Sequence, residues 1–256
     1  MLRLLLGLLL LFSASACYPL ATPLPPLPTG TPPPPADTAT PTIVWFPPTA
    51  TYTPLPIFTQ SISATLDTRS QYGALILADD FSDPAGWMLG RLPAGNIALG
   101  VNELSLAVTQ ERSYLISLRQ DTQLSDFYLE ITASPNICRG ADEYGLLFRY
   151  SSAQGYFRFG LTCSGQARVD RLIGDQVSSS IPPTSSGAIP RGAPSQSRLA
   201  IWALGKDMRF YANGAYLFSL RDGSLLAGGL GVYVRSSTAD MVSANFSDLR
   251  LYEPQK

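Results

Sequence analysis

Alternation of apolar and polar residues dominates the chain from residue 74 onward. Apolar side chains recur at every second position, and no window shows the i, i+3, i+4, i+7 spacing of an amphipathic helix. Turn residues separate the alternating segments, and Asn213-Gly214 between two of them is a strong hairpin signal. The predicted strands lie within residues 74–81, 103–109, 113–119, 126–133, 143–150, 155–161, 167–173, 198–205, 207–220, 229–236 and 243–253.

Short strands that follow one another this closely indicate an antiparallel fold. Such a series is typical of an all-β sandwich or barrel, in which sheet faces enclose one core. Residues 175–197 interrupt the series with Ser, Pro and Gly and predict a long loop. The sequence therefore predicts one all-β domain over residues 71–256.

The N-terminus has the pattern of an export signal. A basic start at Arg3 precedes an apolar run over residues 4–12, which is too short to span a bilayer. The small residues that follow end at Cys17, which resembles the lipobox of bacterial lipoproteins. The resemblance implies that residues 1–16 are a signal peptide and that Cys17 is lipidated, with a diacyl anchor on the extracytoplasmic face of the cell membrane. An ordinary cleaved secretory signal is the alternative.

A Pro/Thr-rich segment separates this signal from the predicted strands. Residues 18–57 contain 14 of the 22 prolines in the chain. Such a composition cannot bury a core and favours an extended polyproline conformation. Residues 17–70 are therefore predicted to be a disordered stalk that begins at the lipidated cysteine.

Charge and histidine content narrow the function classes. The formal net charge is −1 and charged residues make up 14% of the chain, so nucleic acid is a poor candidate partner. The sequence contains no histidine, which excludes Ser-His-Asp and Cys-His catalysis and imidazole-ligated metal sites. Cys138 and Cys163 flank the hairpin at 143–161, and in an exported chain they predict a disulfide.

Four segments resemble a known group of sandwich modules. They are "DDFSDPAGW" from Asp79, "YGLLFRYSSAQGYFRFGL" from Tyr144, "RLAIWALGKDMRFYANGAYLFSL" from Arg198, and "GGLGVYVRSS" with "ANFSDLRLYE" near the C-terminus. The chain resembles bacterial concanavalin A-like modules, the laminin G-like and lectin/glucanase group. This resemblance implies a jelly roll of two curved sheets with a concave face on which many relatives bind carbohydrate. Some relatives are glycosidases.

Strand alternation places a set of arginines and aromatic residues on the outward faces. If their strands share one sheet, aromatic rings could stack on a sugar while arginines donate to its hydroxyl groups. We therefore expect a non-catalytic module that binds glycan or a cell-envelope polysaccharide. A solvated strand face on a protein-interaction or spacer module is the alternative. The predicted ligand-binding residues are Trp202, Tyr211, Tyr156, Arg149 and Arg158.

Hydrolase and metal chemistry have weaker signals. Glycosidases need two carboxylates across a cleft, and the E-x-D-x-x-E strand motif of the glucanase branch is absent from this sequence. Glu130 with Asp142 or Glu143 would be the pair for a hydrolase. Asp79, Asp80 and Asp83 could hold a structural Ca²⁺, but turn formation accounts for them more simply, so no metal or cofactor is expected.

Overall fold

The computed structural model describes residues 72–237 and 240–255. The predicted signal peptide, Cys17 and the Pro/Thr-rich stalk lie outside these residues. Within the described ranges the chain forms fifteen β-strands and one short 3-10 turn, Pro84–Gly86. The strands are β1 Tyr72–Asp79, β2 Gly90–Leu92, β3 Gly95–Leu99, β4 Leu104–Val108, β5 Tyr114–Leu118, β6 Phe127–Ile137, β7 Glu143–Ser151, β8 Gly155–Thr162, β9 Gln166–Ile173, β10 Gln176–Ser185, β11 Ser197–Leu204, β12 Asp207–Ala212, β13 Ala215–Arg221, β14 Gly229–Arg235 and β15 Val242–Pro254.

Two antiparallel sheets form a sandwich, as the alternation predicted. One sheet has nine strands in the order β13-β12-β11-β6-β15-β4-β3-β2, with β1 paired to β15 beside this path. The other has six strands in the order β10-β9-β8-β7-β14-β5. Strands β7 and β8 form the predicted hairpin, and β12 and β13 form the one that turns at Asn213-Gly214.

Phenylalanine side chains from both sheets form the centre of the core. Phe159 of the six-stranded sheet and Phe210 of the nine-stranded sheet have ring centroids 5.0 Å apart. Phe148 stacks on Phe157 at 5.4 Å, and Phe127 meets Phe148 edge-on at 6.3 Å. All five side chains are fully buried. Full burial of one such side chain contributes about 1.5–3 kcal/mol, so this cluster holds the two sheets together.

Two segments differ from the sequence prediction. Residues 175–197 were expected to be a loop, but β10 pairs with β9 along the edge of the six-stranded sheet. The sequence did not predict this strand because its serines and two prolines do not form the apolar alternation that marks half-buried strands. Strands β2 and β3, which pair with each other at the edge of the nine-stranded sheet, were also not predicted.

A disulfide joins Cys138 and Cys163, as predicted. Cys138 directly follows β6 of the nine-stranded sheet, and Cys163 directly follows β8 of the six-stranded sheet. The bond therefore ties one sheet to the other at the end of the sandwich. Among the residues described, no helix has the length and apolar character needed to cross a membrane.

Candidate functional site

Trp202 and Tyr211 point away from the core, as expected, but both side chains are already covered. Trp202 is 5% exposed and Tyr211 is 4% exposed. The Arg209 guanidinium lies 4.4 Å from the centroid of the Trp202 ring, and the Trp202 indole nitrogen donates to the Gln255 carbonyl at 3.0 Å. Tyr211 packs edge-on against Tyr216. The structure therefore gives these two residues little free ring surface for stacking.

The five predicted ligand-binding residues do not share one sheet. Trp202 and Tyr211 lie on β11 and β12 of the nine-stranded sheet, whereas Tyr156 and Arg158 lie on β8 of the six-stranded sheet. The outer faces of these sheets are on opposite sides of the sandwich. The expectation of one continuous face is therefore wrong, because alternation along a strand does not specify which strands pair.

Arg149 was expected to point outward, but it is 0% exposed and lies inside the sandwich. Its backbone has a φ of +52°, and the register of β7 shifts here against both neighbouring strands. Such a β-bulge bends the strand and re-aims the side chains that follow. Arg149 therefore points inward beside the Met208 sulfur, and Tyr150, which regular alternation along 143–150 would place in the core, turns outward onto Tyr156.

The outer face of the six-stranded sheet carries a network of arginines and carboxylates. Asp170 accepts from both Arg158 and Arg168 at 2.6 Å. Glu143 accepts from Arg168 at 3.3 Å and from Arg235 at 3.0 Å. Three guanidinium groups thus meet two buried carboxylates. We call this set, together with Tyr233 at its centre, the arginine face.

Tyr233 lies across two glycines in the middle of the arginine face. It is the cross-strand neighbour of Gly145, which in turn pairs with Gly160. A β-carbon on Gly160 would occupy the space of the Tyr233 hydroxyl, which donates to Glu143 at 3.4 Å. Burial, and then the Glu143 charge, raise the pKa of the Tyr233 phenol well above its ordinary value, so it remains a neutral donor. The Arg158 guanidinium lies 5.2 Å from its ring centroid.

Tyr156 and Tyr150 form an aromatic pair beside the arginine face. Their ring centroids are 5.5 Å apart with a tilt of 37°. Both side chains are half-buried. Tyr156 lies two residues before Arg158 on the same side of β8, so an aromatic surface continues directly from the guanidinium groups.

Sequence reasoning did not select four charged residues of this face as ligand-binding residues: Glu143, Arg168, Asp170 and Arg235. The outward register of 167–171 placed Arg168 and Asp170 on the surface, but only the strand order reveals their partners. Glu143 on β7 and Arg235 on β14 form an ion pair, although the two residues are 92 positions apart in the chain. Contacts of this range leave no local pattern in one sequence.

The residues considered for a hydrolase or a metal site have other partners. Glu130 accepts from the Tyr128 hydroxyl and from Arg198 on the nine-stranded sheet, far from the arginine face. The fully buried Asp142 accepts from the backbone of Arg139 and Ser237.

The three aspartates near the first strand make turn contacts. Asp79, Asp80 and Asp83 each accept a backbone hydrogen bond from the residue two positions ahead. In the described part of the chain, no group of three or more Cys, Asp or Glu side chains is arranged to hold a metal ion.

Comparison with known proteins gives a likeness at the level of fold. No protein-family model and no curated protein sequence matches the chain. The carbohydrate-binding module CBM66 from Bacillus subtilis superposes with a TM-score of 0.50 at 15% identity, over 66% of this chain and 96% of that chain. A Bacillus subtilis protein with a galectin-like fold gives 0.54 at 11% identity, over 72% and 98%.

An enzyme domain is equally similar. The catalytic domain of an endo-1,3-beta-glucanase (laminarinase) from Thermotoga petrophila gives a TM-score of 0.51 at 10% identity, over 72% of this chain and 98% of that chain. At these identities the likeness concerns the fold alone. Residues 72–237 and 240–255 therefore form a two-sheet β-sandwich with the fold of these three solved structures, in agreement with the coarse fold that the sequence resemblance implied.

Proposed function

We propose that the protein is a non-catalytic module that binds glycan on the arginine face and on the adjoining tyrosine pair. The observation that carries the proposal is the coincidence of fixed guanidinium groups with an aromatic surface on one side of the six-stranded sheet. We also propose that a lipidated Cys17 and the Pro/Thr-rich stalk hold the module on the extracytoplasmic side of a membrane.

The chemistry of the arginine face suits a polyhydroxylated ligand. Guanidinium groups present planar arrays of donors, and the carboxylates that hold them supply acceptors. Arg235 keeps 38% of its side chain exposed while bonded to Glu143, so it has donors available to a ligand. The half-buried ring of Tyr156 offers an apolar surface on which the C–H side of a pyranose can stack. Because the ion pairs already fix the arginines, little side-chain freedom is lost on binding.

The partners of the carboxylates support binding rather than hydrolysis. A glycosidase uses one carboxyl group as the acid and a second as the nucleophile or base. On the arginine face, Asp170 is bonded to two arginines and Glu143 to two. Both carboxylates therefore serve to orient guanidinium groups.

The names of two structural neighbours support a glycan as the ligand class. One is a carbohydrate-binding module and another is the catalytic domain of an endo-1,3-beta-glucanase. A shared fold does not transfer a ligand, so the arginine face itself has to be tested.

A glycan array of the full chain tests the proposal. The Tyr156→Ala and Arg235→Ala variants remove one aromatic surface and one exposed guanidinium, and each is expected to reduce binding about tenfold or more, which corresponds to at least about 1.4 kcal/mol. Tyr216→Ala is the matched control, because Tyr216 is 53% exposed on the nine-stranded sheet. Signals that respond equally to all three variants would contradict a site on the arginine face.

A protein-interaction or spacer module is the second candidate function. The observation in its favour is that the outward aromatic residues are divided between two opposite faces, with Trp202 and Tyr211 on one and Tyr156 on the other. It predicts that the folded wild-type protein gives no signal on the array.

A further inference from the structure

A polar cleft lies at the end of the sandwich, beyond the tyrosine pair. It consists of two adjoining cavities of about 410 Å³ and 340 Å³ that share Gln123 and Tyr150 in their walls. Gly228 lies in the wall of the first cavity and Gly229 in that of the second. We call these two cavities the end cleft. Each is within the size range of small-ligand sites, which is about 300–1,000 Å³.

The lining of the first cavity suits an uncharged ligand. Its polar side chains are the amides of Gln123 and Gln154 and the hydroxyls of Ser151, Ser152 and Tyr150. No charged residue is among the described residues that line it, whereas Arg119 and Asp121 are among those that line the second cavity. Amides and hydroxyls both donate and accept hydrogen bonds, as recognition of sugar hydroxyl groups requires. A bare ion would find no opposite charge in this wall.

The buried Arg149 fixes the segments that surround the end cleft. Its guanidinium donates to the carbonyls of Ser125 at 2.9 Å, Gly205 at 2.7 Å and Leu225 at 3.1 Å. Ser125 lies two residues after Gln123 in the sequence, and Leu225 lies three residues before Gly228. Both Gln123 and Gly228 line the first cavity. One buried cation therefore joins both sides of the cleft.

Close backbone contacts add to this rigidity. Leu124 and Gly228 exchange two backbone hydrogen bonds, at 2.8 and 3.0 Å. A β-carbon on Gly228 would collide with the backbone of Arg149 and Tyr150. A wall held in this way is pre-organised, and pre-organisation reduces the entropy that binding costs.

The bulge at Arg149 connects the end cleft to the arginine face. It turns Tyr150 outward, where its ring meets Tyr156 and also forms part of both cavities. A ligand that stacks on Tyr156 beside Arg158 could therefore extend past Tyr150 into the cleft without leaving the protein surface.

We infer that the first cavity of the end cleft is a second subsite, which takes an uncharged sugar ring of a glycan chain whose neighbouring ring lies on the arginine face. This inference rests on the proposed function. It assigns to Gln123 and Gln154 the recognition of hydroxyl groups on that ring, and to Arg149 the positioning of the cleft walls.

Titration calorimetry of the full chain with neutral gluco-, manno- and fructo-oligosaccharides of one to six rings tests this inference. For the wild type, affinity for one of these series is expected to rise about tenfold or more once the chain is long enough to reach the cleft. In a Gln123→Ala, Gln154→Ala double variant, the longer oligosaccharides are expected to bind no better than the short ones. Gln110→Ala is the matched control, since Gln110 is exposed and lines neither cavity.

The outcomes separate this inference from the proposed function. If Tyr156→Ala abolishes binding while the double variant retains the full length dependence, the arginine face is the site and the end cleft is not a subsite. If the wild type binds acidic glycans on the array but none of the neutral oligosaccharides, the uncharged subsite is wrong and the proposed function survives. If the folded wild type binds no glycan of any kind, both are wrong.

Discussion

Arg149 is a buried cation held by backbone carbonyls. None of the ion pairs in the described part of the chain includes it, and its guanidinium donates to three carbonyls instead. Burial lowers the pKa of the Arg149 side chain, although the more distant Asp126 and Asp222 oppose the shift. A buried charge is tolerated only where hydrogen bonds replace its lost hydration. The guanidinium therefore needs the three carbonyls as acceptors, and the carbonyls need the guanidinium as their donor.

Replacement of Arg149 is expected to destabilise the domain. Arg149→Ala leaves three carbonyls without their donor and should lower the free energy of unfolding by about 3 kcal/mol, with Arg149→Lys recovering only part of this. Urea unfolding measures the effect. The control is Arg221→Ala, since Arg221 is an exposed arginine paired with Asp207, and a change below about 0.5 kcal/mol is expected there. Equal effects at the two positions would contradict a structural role for the buried guanidinium.

Gly160 is predicted to be essential for the geometry of the arginine face. Because its β-carbon would displace the Tyr233 hydroxyl, Gly160→Ala should lower the free energy of unfolding by about 1–3 kcal/mol and weaken glycan binding. Thermal unfolding and the glycan array provide the two measurements. At Gly187 a β-carbon meets nothing within 4 Å, so Gly187→Ala should leave both unchanged.

At the scale of strands, the sequence predicts which residues face outward better than it predicts which strands become neighbours. The alternation of β8 correctly places Tyr156 and Arg158 outside, and that of β11 correctly places Trp202 outside. Sheet pairing depends on contacts between segments that are far apart in the chain. The alternation within each strand therefore could not predict that these residues are divided between two sheets.

A departure from regular backbone accounts for the errors at Arg149 and Tyr150. Arg149 adopts a left-handed conformation that is uncommon for residues other than glycine, and a single bulge there exchanges the faces of Arg149 and Tyr150. Nothing in the alternating pattern of residues 143–150 signals that bulge. The end cleft, which depends on the outward turn of Tyr150, could not be predicted for the same reason.

The disulfide between the two sheets gives a prediction at this scale. Cys138 and Cys163 are 25 residues apart in sequence. Closing a loop of this length stabilises a fold by about 3 kcal/mol in the chain-entropy model. A Cys138→Ala, Cys163→Ala double variant should therefore unfold at lower urea concentration than the wild type, and reductant should shift the wild type in the same direction. Reductant should have no further effect on the double variant.

The sandwich formed by the described residues has two unlike outer faces. The nine-stranded sheet carries a covered aromatic cluster in which Tyr72 stacks on Tyr128 at 4.9 Å and contacts Tyr252 at 4.4 Å. The six-stranded sheet carries the arginine face and leads into the end cleft. The first and last strands, β1 and β15, pair with each other in the nine-stranded sheet, which lacks the proposed site.

Membrane attachment is predicted to depend on Cys17. Fractionation of cells that express the wild type should place the protein with the membranes, and Cys17→Ala should move it out of that fraction because the lipidated side chain is lost. The adjacent Ala16→Ser is a conservative control that leaves the cysteine in place. Wild-type protein found free in the medium would instead favour a cleaved secretory signal.

Pro182 and Pro183 lie in β10, the exposed edge strand of the six-stranded sheet. Proline has no N–H group to offer an incoming strand, and the irregular register of β10 makes its outer edge a poor template. The opposite edge, β5, is already covered in part by Trp87 and Met88. Neither edge of the six-stranded sheet therefore offers a long, regular template for β-strand addition, so a second copy of the sandwich is not expected to extend this sheet into a fibre.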